Sequence, residues 1–249
     1  MKAKHPLKIQ NLTIAYGEKV IQRDLNFTVN TGDIFVIIGG NGSGKSTLMR
    51  SLVGLQPPTQ GTVLYEGLDF WNVDHAEHER IKRRLGVMFQ GGALWSSLTL
   101  EENLALPLNQ YTDLSPGLVD EIVSLKLALV GLAGYGDFYP AELSGGMKKR
   151  ASLARAMALD PDILLIDEPS AGLDPLNARH LDNLILELRE SLGTTIVLVT
   201  HELPSILGIC NNSVFLDAET RTMIDSGNPK EAVHSGDPKV RTFLTRGEA

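Results

Sequence analysis

One cysteine, Cys210, stands in 249 residues, so no internal disulfide can form and cross-linked secreted scaffolds are excluded. Basic residues are also in short supply. Lys and Arg number 23 against 30 Asp and Glu, a net charge of −7. A duplex-binding surface neutralises phosphates with clustered Lys and Arg, so this balance disfavours nucleic acid as a partner. Long apolar runs are missing as well: residues 34–38, 163–166 and 196–199 fall far short of the ~20 needed to cross a bilayer. Any membrane spanning would have to come from other chains. The start MKAKHPLK leads into polar sequence rather than an apolar signal core, and the compartment expected is the cytoplasm. Neither a repeat nor a low-complexity tract nor a sustained heptad pattern occurs.

What remains is ordinary for a soluble fold, with 43% hydrophobic and 21% charged residues. Three short β-branched runs, at 33–38, 163–167 and 195–200, each end in a loop and then a helix-forming stretch. Such runs predict buried parallel strands and an α/β class. The early segments LKIQNLTIAYG and QRDLNFTVNTGD alternate apolar and polar residues, which predicts a separate small antiparallel sheet. Between Gln90 and Ser144 helical spacing takes over, with Pro107 and Pro116 read as breakers. The apolar Val240, Phe243 and Leu244 of the last stretch need a surface to dock on.

Residues 39–47 read GGNGSGKST and satisfy G-x-x-x-x-G-K-[ST] between a predicted strand and a helix predicted over 45–55 and closed by Gly54. The glycines Gly39, Gly40, Gly42 and Gly44, with Asn41 and Ser43, let backbone N–H groups converge on phosphate oxygens. The helix start adds partial positive charge, Lys45 reaches the outer phosphates, and the hydroxyl of Ser46, next to Thr47, suits Mg²⁺. ILLIDE at 163–168 then ends a strand in two acids. Asp167 suits the metal's water shell, and Glu168 suits polarising an attacking water.

A second seat for an anion lies about a hundred residues on. LSGGMKKR, at 143–150, sets a hydroxyl and two bare glycines before a cationic helix. Alone it reads as a bland helix start. In company it does not. The phosphate loop, Gln90 after GVMF, LSGGM at 143–147, ILLIDE, SAGLD at 170–174 and a strand ending before His201 stand in the order found in ABC-type ATPase subunits, which this chain resembles over nearly its whole length.

That resemblance implies a P-loop, RecA-like core with a mainly parallel sheet, a small antiparallel β subdomain and an inserted helical subdomain. The implied division is one domain over 1–249: core at 1–90 and 152–225, helical subdomain with the LSGG segment at 91–151, and tail at 226–249. It implies ATP and Mg²⁺, and a head-to-tail dimer in which Ser144, Gly145 and Gly146 of one copy grip the γ-phosphate held by the other. By the same resemblance Tyr16 stacks on adenine, though a lone Tyr is otherwise a half-buried strand residue. Gln90 touches metal and water, Asp174 crosses the dimer seam, and His201 contacts the γ-phosphate. Lys45, Glu168, Gln90 and His201 would carry catalysis, and Ser46, Gln90 and Asp167 would serve the metal.

Other features read as structural: His75 and His78 as a solvated helix face, Lys148, Lys149 and Arg150 as a solvated patch, Cys210 as a filler. FQGGALWSSLTLEENLALPL at 89–108, Met147 and DPKVRTFL at 237–244 together are similar to the ATPase subunits of Mla/Mce-type phospholipid transport systems, while Gly40 and Trp95 depart from the commoner Pro and Phe. The partners implied are a transmembrane permease, docked through 91–108, and an extracytoplasmic Mce-type lipid-binding protein. The place implied is the cytoplasmic face of the inner membrane, held peripherally. Another cargo, through lipoprotein release or solute import, stays open, as do a soluble ABC ATPase acting on DNA or ribosomes and a kinase. The last would leave LSGGM and His201 without work.

Overall fold

The computed structural model describes residues 4–247, so the first three residues of MKAKHPLK and the last two of the tail lie outside the described residues. The chain opens with β1 (Leu7–Tyr16), β2 (Lys19–Val29), β3 (Ile34–Gly39) and α1 (Lys45–Leu52). It continues through β4 (Gln60–Tyr65), β5 (Leu68–Asp69), α2 (His75–Arg83) and β6 (Leu85–Met88). Three helices follow, α3 (Leu100–Tyr111), α4 (Pro116–Leu129) and α5 (Gly145–Ala156), before β7 (Ile163–Asp167), α6 (Pro175–Leu192) and β8 (Thr195–Val199). The chain ends in α7 (Leu203–Ile209), β9 (Asn212–Asp217), β10 (Thr222–Gly227), α8 (Pro229–Ser235) and α9 (Pro238–Leu244).

Two sheets result. β2-β1-β4-β5 is antiparallel, and β10-β9-β3-β8-β7-β6 is parallel apart from β10. The alternation of β3 explains the layering. Ile34, Val36 and Ile38 face a core shared with α3 to α7, while Phe35 and Ile37 face one shared with α1 and the antiparallel sheet. β7 and β8 divide in the same way. Strands buried on both faces need continuous Ile, Leu and Val, which is what those three runs supply.

Two sequence expectations change here, the end of the first helix and the reading of Pro107 as a breaker. α1 stops at Leu52, three residues early, yet Gly54 still closes it in the left-handed region at φ 84°. Pro107 does not break α3 but lies inside it, because Leu100, Leu104 and Leu108 are buried on the core and outweigh one missing hydrogen bond. Pro116 opens α4 at its first turn. α5 runs straight through the division expected at 151/152, so the helical and core layers are joined there by a helix. As for the tail, Val240 and Leu244 are buried on the chain's own core, and Phe243 meets Phe215 edge-on at 5.3 Å.

Candidate active site

Strand order brings the chemistry together. β8 lies between β3 and β7, so the phosphate loop after β3 and Asp167 and Glu168 at the end of β7 flank His201 after β8, all at the carboxyl edge of the sheet. Gln90, exposed, follows β6 beside β7.

In the loop, Lys45 Nζ donates to the carbonyls of Gly39 (2.8 Å) and Gly40 (3.1 Å), closing the turn on itself. Burial lowers the Lys45 pKa, opposed by Glu168 and then Asp167. Gly44 stands at the start of α1 at φ 85° with no side-chain cap, which leaves first-turn amides free to meet an anion. Gly39, at φ 152°, admits nothing larger: a Cβ there would lie 2.3 Å from the Leu216 carbonyl oxygen. Asn41, Gly42 and Ser46 are exposed, Thr47 is half-buried and Ser43 is buried.

The acids are held tensely. Glu168 adopts φ 45° while its N–H donates to Val199 O at 2.8 Å. His201 Nδ1 and Glu168 Oε1 share a hydrogen bond at 2.8 Å. Glu168 Oε2 and Asp167 Oδ1 are buried without a hydrogen-bond partner among the described residues. Burial, then the charge on Glu168, raises the Asp167 pKa. Two carboxylates with unmet oxygens beside a half-buried lysine form a donor set that a hard divalent cation would relieve.

Tyr16, at the end of β1, is 48% exposed, and its hydroxyl accepts from Arg50 at 3.1 Å. Its ring is free to stack.

The second seat is built differently. Ser144 caps α5, its Oγ accepting from Met147 N at 3.3 Å, and both Ser144 and Gly145 are exposed while Gly146 is buried against Asn177. Asp174 caps α6, accepting from the amides of Leu176 (3.1 Å) and Asn177 (3.0 Å), and is exposed beside this seat. The loop's own hydrogen bonds run within itself and to Gln22, so the two seats do not meet through them.

The basic run after Met147 is not a solvated patch. Lys149 Nζ donates to Gln90 O (2.6 Å) and Glu168 O (3.2 Å), and Arg150 Nη1 donates to Val130 O (2.8 Å) and Gly131 O (3.1 Å). Only Lys148 is exposed. Lys149 therefore ties the LSGG helix to both the Gln90 segment and the backbone just after β7, a link no spacing signals. His78 also departs from expectation, stacking on Phe70 at 4.4 Å, whereas His75 is exposed. Cys210 is buried, which pushes its thiol pKa up and leaves it inert.

The ABC transporter family model matches residues 22–171. The chain is 37% identical to the intermembrane phospholipid transport system ATP-binding protein MlaF of Haemophilus influenzae, covering 98% of this chain and 91% of that one. It is 38% identical to a probable ribonucleotide transport ATP-binding protein, mkl, of Mycobacterium tuberculosis, over 96% of this chain and 66% of that protein. Among solved structures it is similar to a bacterial ABC transporter cassette determined as a dimer, with TM-score 0.81 and 29% identity over 89% of this chain and 98% of that one. The same cassette in a post-hydrolysis state with ADP and Pi matches at TM-score 0.80 and 29% identity, with the same coverage of both chains.

Proposed function

The chain belongs to the ABC transporter family, and from that premise we propose that it powers phospholipid transport through a partner permease by binding and hydrolysing ATP. The observation that carries this reading is the convergence of the phosphate loop, Glu168 and His201 at one sheet edge, with His201 2.8 Å from Glu168. Its lipid cargo is supported by the likeness to the protein named for intermembrane phospholipid transport.

The loop amides of 39–44 and the start of α1 take the phosphates, Lys45 exchanges its loop carbonyls for phosphate oxygens, and Tyr16 stacks on adenine. Glu168 orients and polarises the attacking water, and His201 holds that carboxylate in place and reaches the γ-phosphate. Mg²⁺ fits the donors present: Ser46, Gln90 and the unmet Asp167 oxygen would hold it, and when bound it supplies charge neutralisation.

ABC cassettes work as dimers beside a transmembrane permease. Here Ser144, Gly145 and Gly146, with Asp174, close the nucleotide held by a second, head-to-tail copy. A cleft of about 290 Å³ between β6, α3 and α5, lined by Phe89, Ala93, Pro107, Tyr111 and Arg155, receives the permease. No helix among the described residues is long and apolar enough to cross a membrane. The protein sits peripherally on the cytoplasmic face, its permease coupled to an extracytoplasmic Mce-type lipid-binding protein.

Glu168→Gln is expected to keep ATP affinity, accumulate as a dimer on size exclusion and lose at least about a hundredfold in turnover. Undiminished hydrolysis would overturn the role of Glu168. Affinity purification from membranes, with mass spectrometry of the permease and retained lipids, tests the cargo. A permease retaining ribonucleotides instead would favour the reading that the mkl name supplies.

A further inference from the structure

Gln22 lies in β2 and is fully buried. Under strict alternation it would share the outer face with Asp24 and Asn26, both exposed, rather than the inner face of Leu25 and Phe27. Asp24 instead adopts φ 54°, and the register against β1 slips by one residue between the pairs Leu12↔Leu25 and Ile14↔Gln22. This bulge turns Gln22 inward.

Inward, it meets the underside of the phosphate loop. Gln22 Nε2 donates to Ser43 O at 2.7 Å and to Asp217 O, at the end of β9, at 3.0 Å. Two carbonyl acceptors fix which way the amide faces, since a flipped amide would set its oxygen against both. The Oε1 left over is buried without a partner among the described residues. Such an orphan opposes folding and offsets part of what the two donated bonds contribute. The gain lies in what the two donated bonds hold.

A trans peptide points its C=O and the following N–H in opposite directions. Drawing Ser43 C=O down onto Gln22 therefore turns Gly44 N–H away from β2 and into the concavity where the loop amides converge. The loop rests directly on this strand, for a Cβ on Gly44 would come within 2.6 Å of Ile21 Cγ2. Asp217 is a firm second anchor, its carboxylate accepting from Thr220 N (2.9 Å), Thr220 Oγ1 (2.8 Å) and Lys239 Nζ (3.3 Å).

We propose that Gln22 is a positioning residue of the phosphate loop. Its amide sets the Ser43–Gly44 peptide so that Gly44 N–H faces the nucleotide's phosphates, and it braces the loop against β9. This rests on the ATP-binding reading, and wild-type titration with ATP separates the two: absence of wild-type binding would defeat that reading, not this one.

The test is calorimetric titration of the full chain with ATP and ADP, beside thermal unfolding without nucleotide. Gln22→Met, which removes the orphan Oε1 together with the donor to Ser43 O, is expected to unfold within about 3 °C of the wild-type midpoint, to bind both nucleotides about tenfold more weakly, and to keep its saturated turnover within about twofold. Gln22→Glu, should Gln22→Met not fold, decides alone. Burial raises the pKa of an acid placed between two carbonyls: neutral toward low pH, its one O–H can donate to Ser43 O, whereas ionised toward high pH it donates nothing and repels both. Relative to wild type at the same pH, its affinity is expected to be near normal at pH 6 and at least about tenfold weaker at pH 9. Wild-type affinity in Gln22→Met, affinity lost only in step with a lowered midpoint, or a pH-independent affinity in Gln22→Glu would each overturn the proposal.

Discussion

The two phosphate seats share glycines, a hydroxyl and a helix start, and are built in opposite ways. The loop at 39–47 rests on β2 and is closed by its own lysine, with the amides of α1 left uncapped. The seat at 143–147 is open, and its Ser144 hydroxyl is already engaged with its own helix. One is shaped by the fold of a single chain, whereas the other, in the proposed function, is a surface that would gain its role from a second copy. Under the proposed head-to-tail arrangement, a site divided so unevenly would place binding on one protomer and commitment on the pair.

The widest contrast is expected between glycines. Gly39→Ala meets the Leu216 carbonyl and a strained φ, so the variant should lose at least about 3 kcal/mol of stability and fail to accumulate soluble protein. Gly145→Ala meets only Leu173 at 3.7 Å, an ordinary contact, so its thermal midpoint should stay at the wild-type value while turnover falls about a hundredfold. Equal midpoints in the two variants would erase the distinction between the seats.

Smaller effects sharpen the comparison. Lys149→Met cuts the link between the second seat and the edge serving the first, and turnover at saturating ATP should fall roughly tenfold with ATP affinity retained. An unchanged rate would show that the link does not matter. Smallest is Asp167→Asn. Burial raises the Asp167 pKa, so the folded chain binds this proton more tightly than the unfolded chain and loses stability as pH rises through the raised value. Asp167→Asn should therefore unfold roughly 2–4 °C above wild type at pH 8, with the difference closing toward pH 4. A constant difference across that range would contradict the direction of the shift.

Much of this was legible in the chain. The buried strands announced themselves by unbroken Ile, Leu and Val, and the sites by glycine and acid at strand ends, because those positions are fixed by local backbone chemistry. Pro107 misled because burial of Leu104 and Leu108 overrides a local preference. Lys149 and Gln22 were hidden for a different reason: each acts by reaching a carbonyl distant in sequence, and carbonyls are the same at every residue. The bulge at Asp24 that re-aims Gln22 depends on a single dihedral that alternation cannot display.

The strand order has a consequence for biosynthesis. β3 leaves the ribosome early, yet Ile34 pairs with Ile196 and Phe35 with Asn212, so both its neighbours are among the last strands made. Throughout most of translation an apolar ribbon with two bare edges has no lawful partner. Nascent chains stalled before β8 should therefore be clients of holdase chaperones, and the cell meets this protein first as an aggregation hazard.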